Sequence, residues 1–204
     1  MCRKCRKKVK ILEFQYCPEC GKRSLNGFTH KICLKKLDGT FSIFVYRRPV
    51  SILIHQFKYQ FAKEVGETLA KLSSKALSKA EILKFWQENK FVFTPVPLFL
   101  TRKLWRGFNQ SEIILDRICK ELKLPFKNKV LTRDKWTRDQ ARLKLDQRKK
   151  NVKNAFVVTP YARVKGKNFV VFDDVITTGS TLKACARALK LKGAKLVWGL
   201  SLCR

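Results

Sequence analysis

Apolar and polar positions along this chain repeat with two different periods, and the switches between them outline alternating strands and helices from Phe41 onward. Phe41 to Tyr46 (FSIFVY) alternates and reads as a strand. Pro49 suits the first turn of a helix through SILIHQFKYQ, where Ile52, Leu53, Gln56, Phe57 and Gln60 form an incomplete apolar stripe edged by His55 and Lys58. His55 reads as a surface histidine. A second helix is expected from Ala62 to about Leu77, with Val65, Leu69 and Leu72 on one face and Ser73, Ser74 and Ser78 loosening its end. KAEILKFW continues as a further amphipathic segment. Phe91 to Leu98 (FVFTPVPL) reads as a buried strand whose ladder ends at Pro95 and Pro97, which have no N–H to donate. A basic loop turning at Gly107 then leads to a helix started by Asn109, Gln110 and Ser111 and continued by Ile113, Ile114, Ile118 and Leu122.

Residues 127–153 are dense in lysine and arginine and carry no sustained stripe, which predicts a cover loop that rejoins the core at Ala155 to Val158. The clearest stretch follows. FVVFDDVITTGST, Phe169 to Thr181, is an apolar run, a pair of carboxylates and a hydroxyl-rich loop pivoted on Gly179. The helix after it should bury Leu182, Cys185, Ala186 and Leu189 while Lys183, Arg187 and Lys190 face water, and LVWGLSL forms the final strand. Strands and helices in alternation favour an α/β fold with a mostly parallel sheet. In such folds ligands bind at the carboxyl ends of the strands. Backbone N–H groups, the hydroxyls of Thr177, Thr178, Ser180 and Thr181, and a helix N-terminus suit a phosphate there. Asp173 and Asp174 suit ribose hydroxyls, or a magnesium ion through waters.

Before Phe41 the pattern fails. Residues 1–38 have few apolar positions, so a separate small module is expected that needs a staple. Three pairs with the same spacing supply one: Cys2 with Cys5, Cys17 with Cys20, and His30 with Cys33. In Cys17-Pro-Glu-Cys20-Gly21 the spacing forms a knuckle that gives both sulfurs to one tetrahedral ion. Structural zinc is expected, on Cys17, Cys20, His30 and Cys33 or on Cys2, Cys5, Cys17 and Cys20. Cys119, Cys185 and Cys203 read as reduced thiols.

Charge changes the picture next. With 46 Lys and Arg against 15 Asp and Glu, the chain carries a formal +31, which favours anionic partners such as nucleic acid or polyphosphate ligands. No run of 18 apolar residues supports a transmembrane segment, and no apolar signal segment follows the basic start. A cytoplasmic metal-binding protein is the expectation.

With these pieces placed, the sequence resembles the competence-protein ComF family of the type I phosphoribosyltransferase superfamily. FVVFDDVITTGST is similar to the superfamily signature for 5-phosphoribosyl 1-pyrophosphate. CPECG, HQFKY (55–59), PVPL (95–98), RGFNQSE (106–112) and RKKNVKNAF (148–156) are similar to the ComF subset. The resemblance implies a phosphoribosyltransferase-like parallel sheet flanked by helices in residues 39–204, behind a zinc-ribbon-like module in residues 1–38. It implies that Thr177, Thr178, Gly179, Ser180 and Thr181 cradle the 5′-phosphate and that Asp173 and Asp174 hold the ribose hydroxyls in the catalytic position. Arg102, Lys103 and Arg106 would lie near a magnesium-bound pyrophosphate, with the segment around Gln140 and Arg148 folding over. The implied role is in DNA uptake during natural transformation, beside a DNA-translocating helicase. Trp105, Phe108 and Trp136 are candidates to stack on single-stranded DNA. An active transferase acting on an unidentified base or amine, and a ligand-sensing regulator, are the alternatives.

Overall fold

In the computed structural model, residues 1–34, 36–59, 63–98, 107–133 and 155–204 are described. Four strands form a parallel sheet: β3 (Gly39–Phe44), β4 (Val92–Pro95), β7 (Asn168–Val175) and β8 (Leu196–Cys203). Their order is β3-β8-β7-β4, which places β7 and β8 in the middle. The central position explains the apolar run of β7, because a strand covered on both faces has no polar side to present. Val170 and Phe172 face one cluster while Phe169 and Val171 face the other, as the two-residue period of a strand requires.

The larger cluster lies under four helices: α2 (Val50–Tyr59), α3 (Lys63–Leu77), α4 (Glu81–Glu88) and α5 (Gln110–Glu121). Trp86 and Trp198 meet edge to face within it, ring centroids 5.9 Å apart. The smaller cluster lies under α6 (Ser180–Leu191) and a short antiparallel hairpin, β5 (Leu131–Arg133) with β6 (Phe156–Val158). Gly199 on β8 lets α6 lie close, since a Cβ there would stand 2.7 Å from Leu182 Cδ1.

The sequence pattern predicts most of these elements. Two details differ. Ser73 and Ser74 are buried inside α3 rather than loosening its end, with Ser73 Oγ donating to the Leu69 carbonyl at 2.8 Å. A helix turn tolerates a serine whose hydroxyl is satisfied in this way. The charged 127–153 region also begins with a strand, β5, that pairs with the predicted return at Ala155 to Val158.

The N-terminal residues run along the outer edge of β3. A short helix, α1 (Arg3–Lys7), precedes a two-residue ladder of β1 (Gln15–Tyr16) and β2 (Arg23–Ser24). Ile11 bridges Phe44 and Phe28 bridges Gly39, both antiparallel. Between them the Gln15 amide does what a strand backbone would do. Its Oε1 accepts from Ser42 N–H at 2.9 Å and its Nε2 donates to the Ser42 carbonyl at 3.0 Å. At the opposite edge Phe126 bridges Phe93.

Candidate functional site

The carboxyl ends of the parallel strands open into one cavity of about 460 Å³. β7 delivers Asp173 and Asp174 to its wall, and the chain then turns through Thr177 and Thr178 into α6. Gly179 stands at the helix N-cap with φ of 69°. That left-handed conformation, rather than crowding, calls for glycine, because a Cβ there would find its nearest neighbours 4.0 Å away. Thr178 Oγ1 lies 2.8 Å from Ser180 Oγ and accepts from Ser180 N–H at 3.3 Å, which shapes the turn. A second helix start reaches the same cavity. Asn109 caps α5 by accepting from Ser111 N–H at 3.1 Å and donates to the Val96 carbonyl at 3.0 Å, and Gln110 and Ser111 line the cavity. Two helix N-termini and their positive dipole ends therefore share one cavity.

The acidic pair is balanced by cations from distant parts of the chain. Lys58 of α2 pairs with Asp174 at 2.5 Å. Arg133 and Arg204 also line the cavity, so its described lining holds three cations against two carboxylates. Asp173 is half-buried and accepts the Asp174 N–H at 2.9 Å. Burial, with the neighbouring Asp174 charge, pushes its carboxyl up to about 7, although Lys58 and Arg133 oppose the rise. The corner is thus fitted to a phosphate on a sugar: backbone N–H groups and cations for the anion, carboxylates to accept sugar hydroxyls.

A second cluster lies in the N-terminal module. The ligand atoms of Cys17, Cys20, His30 and Cys33 all fall within 4.8 Å of one another. Cys17 Sγ and Cys33 Sγ are 3.9 Å apart, close to the ~3.8 Å edge of a tetrahedron with 2.3 Å zinc–sulfur bonds. His30 Nδ1 points at Cys20 Sγ, 3.3 Å away, while Nε2 lies 3.1 Å from the Arg23 carbonyl. That second contact fixes the tautomer with Nδ1 free to ligate, a usual arrangement for metal-bound histidine. Around Cys17, burial disfavours the thiolate, but the backbone N–H groups of Cys20, His30 and Glu19 outweigh it and bring the thiol down to about 7. Three sulfurs and an imidazole in this geometry form a cluster able to hold a metal such as zinc.

Of the two ligand sets open in the sequence, the structure brings together Cys17, Cys20, His30 and Cys33. Cys2 and Cys5 lie apart at the start of α1, where Cys2 Sγ accepts from Cys5 N–H at 3.5 Å. Asp173, Asp174, Thr177, Thr178, Gly179, Ser180 and Thr181 meet in the cavity. Arg102, Lys103 and Arg106 lie outside the described residues, as do Trp105, Trp136, Gln140 and Arg148. Phe108 packs on Phe57, centroids 5.4 Å apart, against the larger core. His55 is exposed beside Tyr59. Cys119, Cys185 and Cys203 are free and buried, and burial pushes the first and last up to about 12. Periodicity misses Lys58, Arg133 and Arg204 as cavity residues; HQFKY, quoted for its resemblance, contains the first. It also errs on α6, where Lys183 and Lys190 are not turned to water. They pair with Glu19 at 3.1 Å and with Asp38 at 2.9 Å, both carboxylates of the N-terminal module.

Comparison with known proteins agrees with this geometry. Residues 104–203 match the phosphoribosyl transferase domain model. Competence protein F of Haemophilus influenzae is 34% identical over 98% of this chain and 90% of its own length. DNA utilization protein YhgH of Escherichia coli K12 is 32% identical over 92% of this chain and 83% of its own. Competence protein ComFC of Bacillus subtilis is 26% identical over 95% and 79% respectively. No helix among the described residues is long and apolar enough to cross a membrane. A parallel sheet flanked by helices, an acidic pair and hydroxyl loop at its carboxyl edge and relatives matched along nearly the whole chain lead to one conclusion: the protein belongs to the ComF family of the phosphoribosyltransferase superfamily.

Proposed function

We propose that this protein binds 5-phosphoribosyl 1-pyrophosphate, or a related ribose 5-phosphate, and acts in DNA uptake. The observation that carries the reading is the meeting of the Asp173–Asp174 pair and the Gly179-pivoted start of α6 in one cavity. The 5′-phosphate rests on the backbone N–H groups and hydroxyls of residues 177–181, where the helix dipole favours negative charge. Asp173 and Asp174 accept the ribose 2′- and 3′-hydroxyls, and displacement of Lys58 from Asp174 frees an ammonium for the ligand's phosphates. The start of α5 faces the same cavity and offers N–H groups to the pyrophosphate. Arg102, Lys103 and Arg106 precede it in sequence and are assigned the same task. A magnesium ion accompanying the ligand would be held through waters by Asp173 and Asp174, and it supplies charge neutralisation of the pyrophosphate. Zinc in the Cys17–Cys20–His30–Cys33 cluster is structural.

The DNA-uptake role is supported by the names of the relatives in competence and DNA utilization. The formal charge of +31 supports single-stranded DNA as a partner. An uptake helicase as partner and a cytoplasmic location complete the reading.

Calorimetry with phosphoribosyl pyrophosphate and magnesium tests it. Wild type should bind, while Asp174→Ala and Thr178→Ala should each lose about tenfold or more in affinity, as expected for removing a hydrogen bond to a charged group. Absence of binding by wild type would sink the reading. Release of pyrophosphate on adding candidate bases separates turnover from binding alone.

A further inference from the structure

We infer that Glu19 is a positioning residue that ties the metal module to the phosphate loop, so that metal and ribose 5-phosphate each strengthen the binding of the other. The inference rests on the ribose-phosphate reading of the cavity.

Glu19 lies between two members of the metal cluster, Cys17 and Cys20. Its side chain is largely buried, and Oε2 lies 3.1 Å from Lys183 Nζ. Oε1 is buried with no hydrogen-bond partner among the described residues. A carboxylate so enclosed depends on the cation beside it, so the contact is costly to break. Lys183 belongs to the first turn of α6, and its N–H donates to the Gly179 carbonyl at 2.9 Å. Its Cε would lie 4.0 Å from a Cβ at Gly179, directly against the loop that cradles the phosphate.

The other end of this chain of contacts is shaped by the metal ligands. Cys17 N–H donates to the Lys22 carbonyl at 2.9 Å, and Gly21 N–H donates to the Cys17 carbonyl at 3.0 Å. The knuckle therefore keeps its form while the Cys17 sulfur is held in place, and a metal ion is what holds it. A shaped knuckle fixes Glu19, Glu19 fixes Lys183, and Lys183 fixes the first turn of α6. Seven residues further on, Lys190 pairs with Asp38 on the same side of the helix, so its far half has an independent tether. Among the described residues, the Glu19 contact is the ion pair that couples the metal cluster to the phosphate end. Linkage makes the coupling reciprocal: the factor by which metal raises ligand affinity is the factor by which ligand raises metal affinity.

The test uses the full chain loaded with zinc. Transfer of zinc to a colorimetric chelator is followed with and without saturating ribose 5-phosphate, and binding of ribose 5-phosphate is measured separately by calorimetry. In wild type the chelator concentration for half-release should rise about fivefold or more when ribose 5-phosphate is bound. In Glu19→Gln and in Lys183→Met the chain should still hold one zinc, but the ligand should no longer change its release. Lys183→Met leaves the module's own residues untouched and decides the matter if the Glu19 variant fails to fold. Ribose 5-phosphate that binds wild type without changing zinc release overturns this proposal alone, as does coupling that survives in Lys183→Met. No binding by wild type overturns the ribose-phosphate reading and this proposal with it.

Discussion

The corner beside Gly179 and the N-terminal module are built in opposite ways. The corner is written in one continuous stretch, from β7 through Gly179 into α6, and the sheet beneath it is buried on both faces. Its geometry is carried by backbone and core, and its acids and hydroxyls line the cavity. The module has little core. Its described parts include two two-residue strands, a five-residue helix and four side chains, drawn from residues 17–33, that could hold a metal ion. There the fold leans on side chains more than on a core. A closed set of four protein ligands is the signature of a structural site, whereas the corner leaves a cavity of about 460 Å³ for a ligand.

The sharpest way to break the contrast is to remove a module ligand. Cys17→Ser should abolish zinc binding and lower stability by about 4 kcal/mol or more, the range reserved for loss of a metal. Metal stoichiometry and thermal melting check it; a variant that melts with wild type would mean the module has a core of its own.

A change in the corner should act with the opposite sign. Asp173 has a folded-state pKa of about 7 against an ordinary 3.8, so its contribution to stability is present at low pH and lost as pH rises through 7. Asp173→Asn should melt a few degrees higher than wild type at pH 8 and equally near pH 4. The same variant should bind ribose 5-phosphate more weakly, separating the stability of the corner from its use.

Smaller effects follow from the ligand side. On the proposed reading, in which both carboxylates take sugar hydroxyls, 2-deoxyribose 5-phosphate should bind about tenfold more weakly than ribose 5-phosphate, the cost of one lost charge-assisted hydrogen bond. Equal affinities would place the hydroxyl away from the acids. The smallest effect is expected at the helix cap. Gly179→Ala should cost about 1 kcal/mol of stability, because an L side chain is strained at a φ of 69°.

The contrast also explains what the sequence reveals. The corner is legible because its strand, turn and helix are neighbours in sequence, and each local pattern reports on its own element. Its cations are not. Lys58, Arg133 and Arg204 enter from α2, β5 and the residue after β8, and only the closing of the sheet brings them together. In the module the spacing identifies the ligand types, but two sets satisfy it equally. The choice depends on His30, whose Nε2 contact with the Arg23 carbonyl is a tertiary fact. Lys183 and Lys190 mislead because helical period predicts which side of a helix leaves its own core, not what another segment lays across that side.

The pairing of Gln15 with Ser42 has a consequence for handling the protein. An uncovered parallel strand is a template on which a second chain can add, and β3 would be such a strand without the residues that run along it. Emptying the Cys17–Cys20–His30–Cys33 cluster should loosen that cover. The first symptom of metal loss should then be self-association through β3, visible as concentration-dependent light scattering before any helix melts.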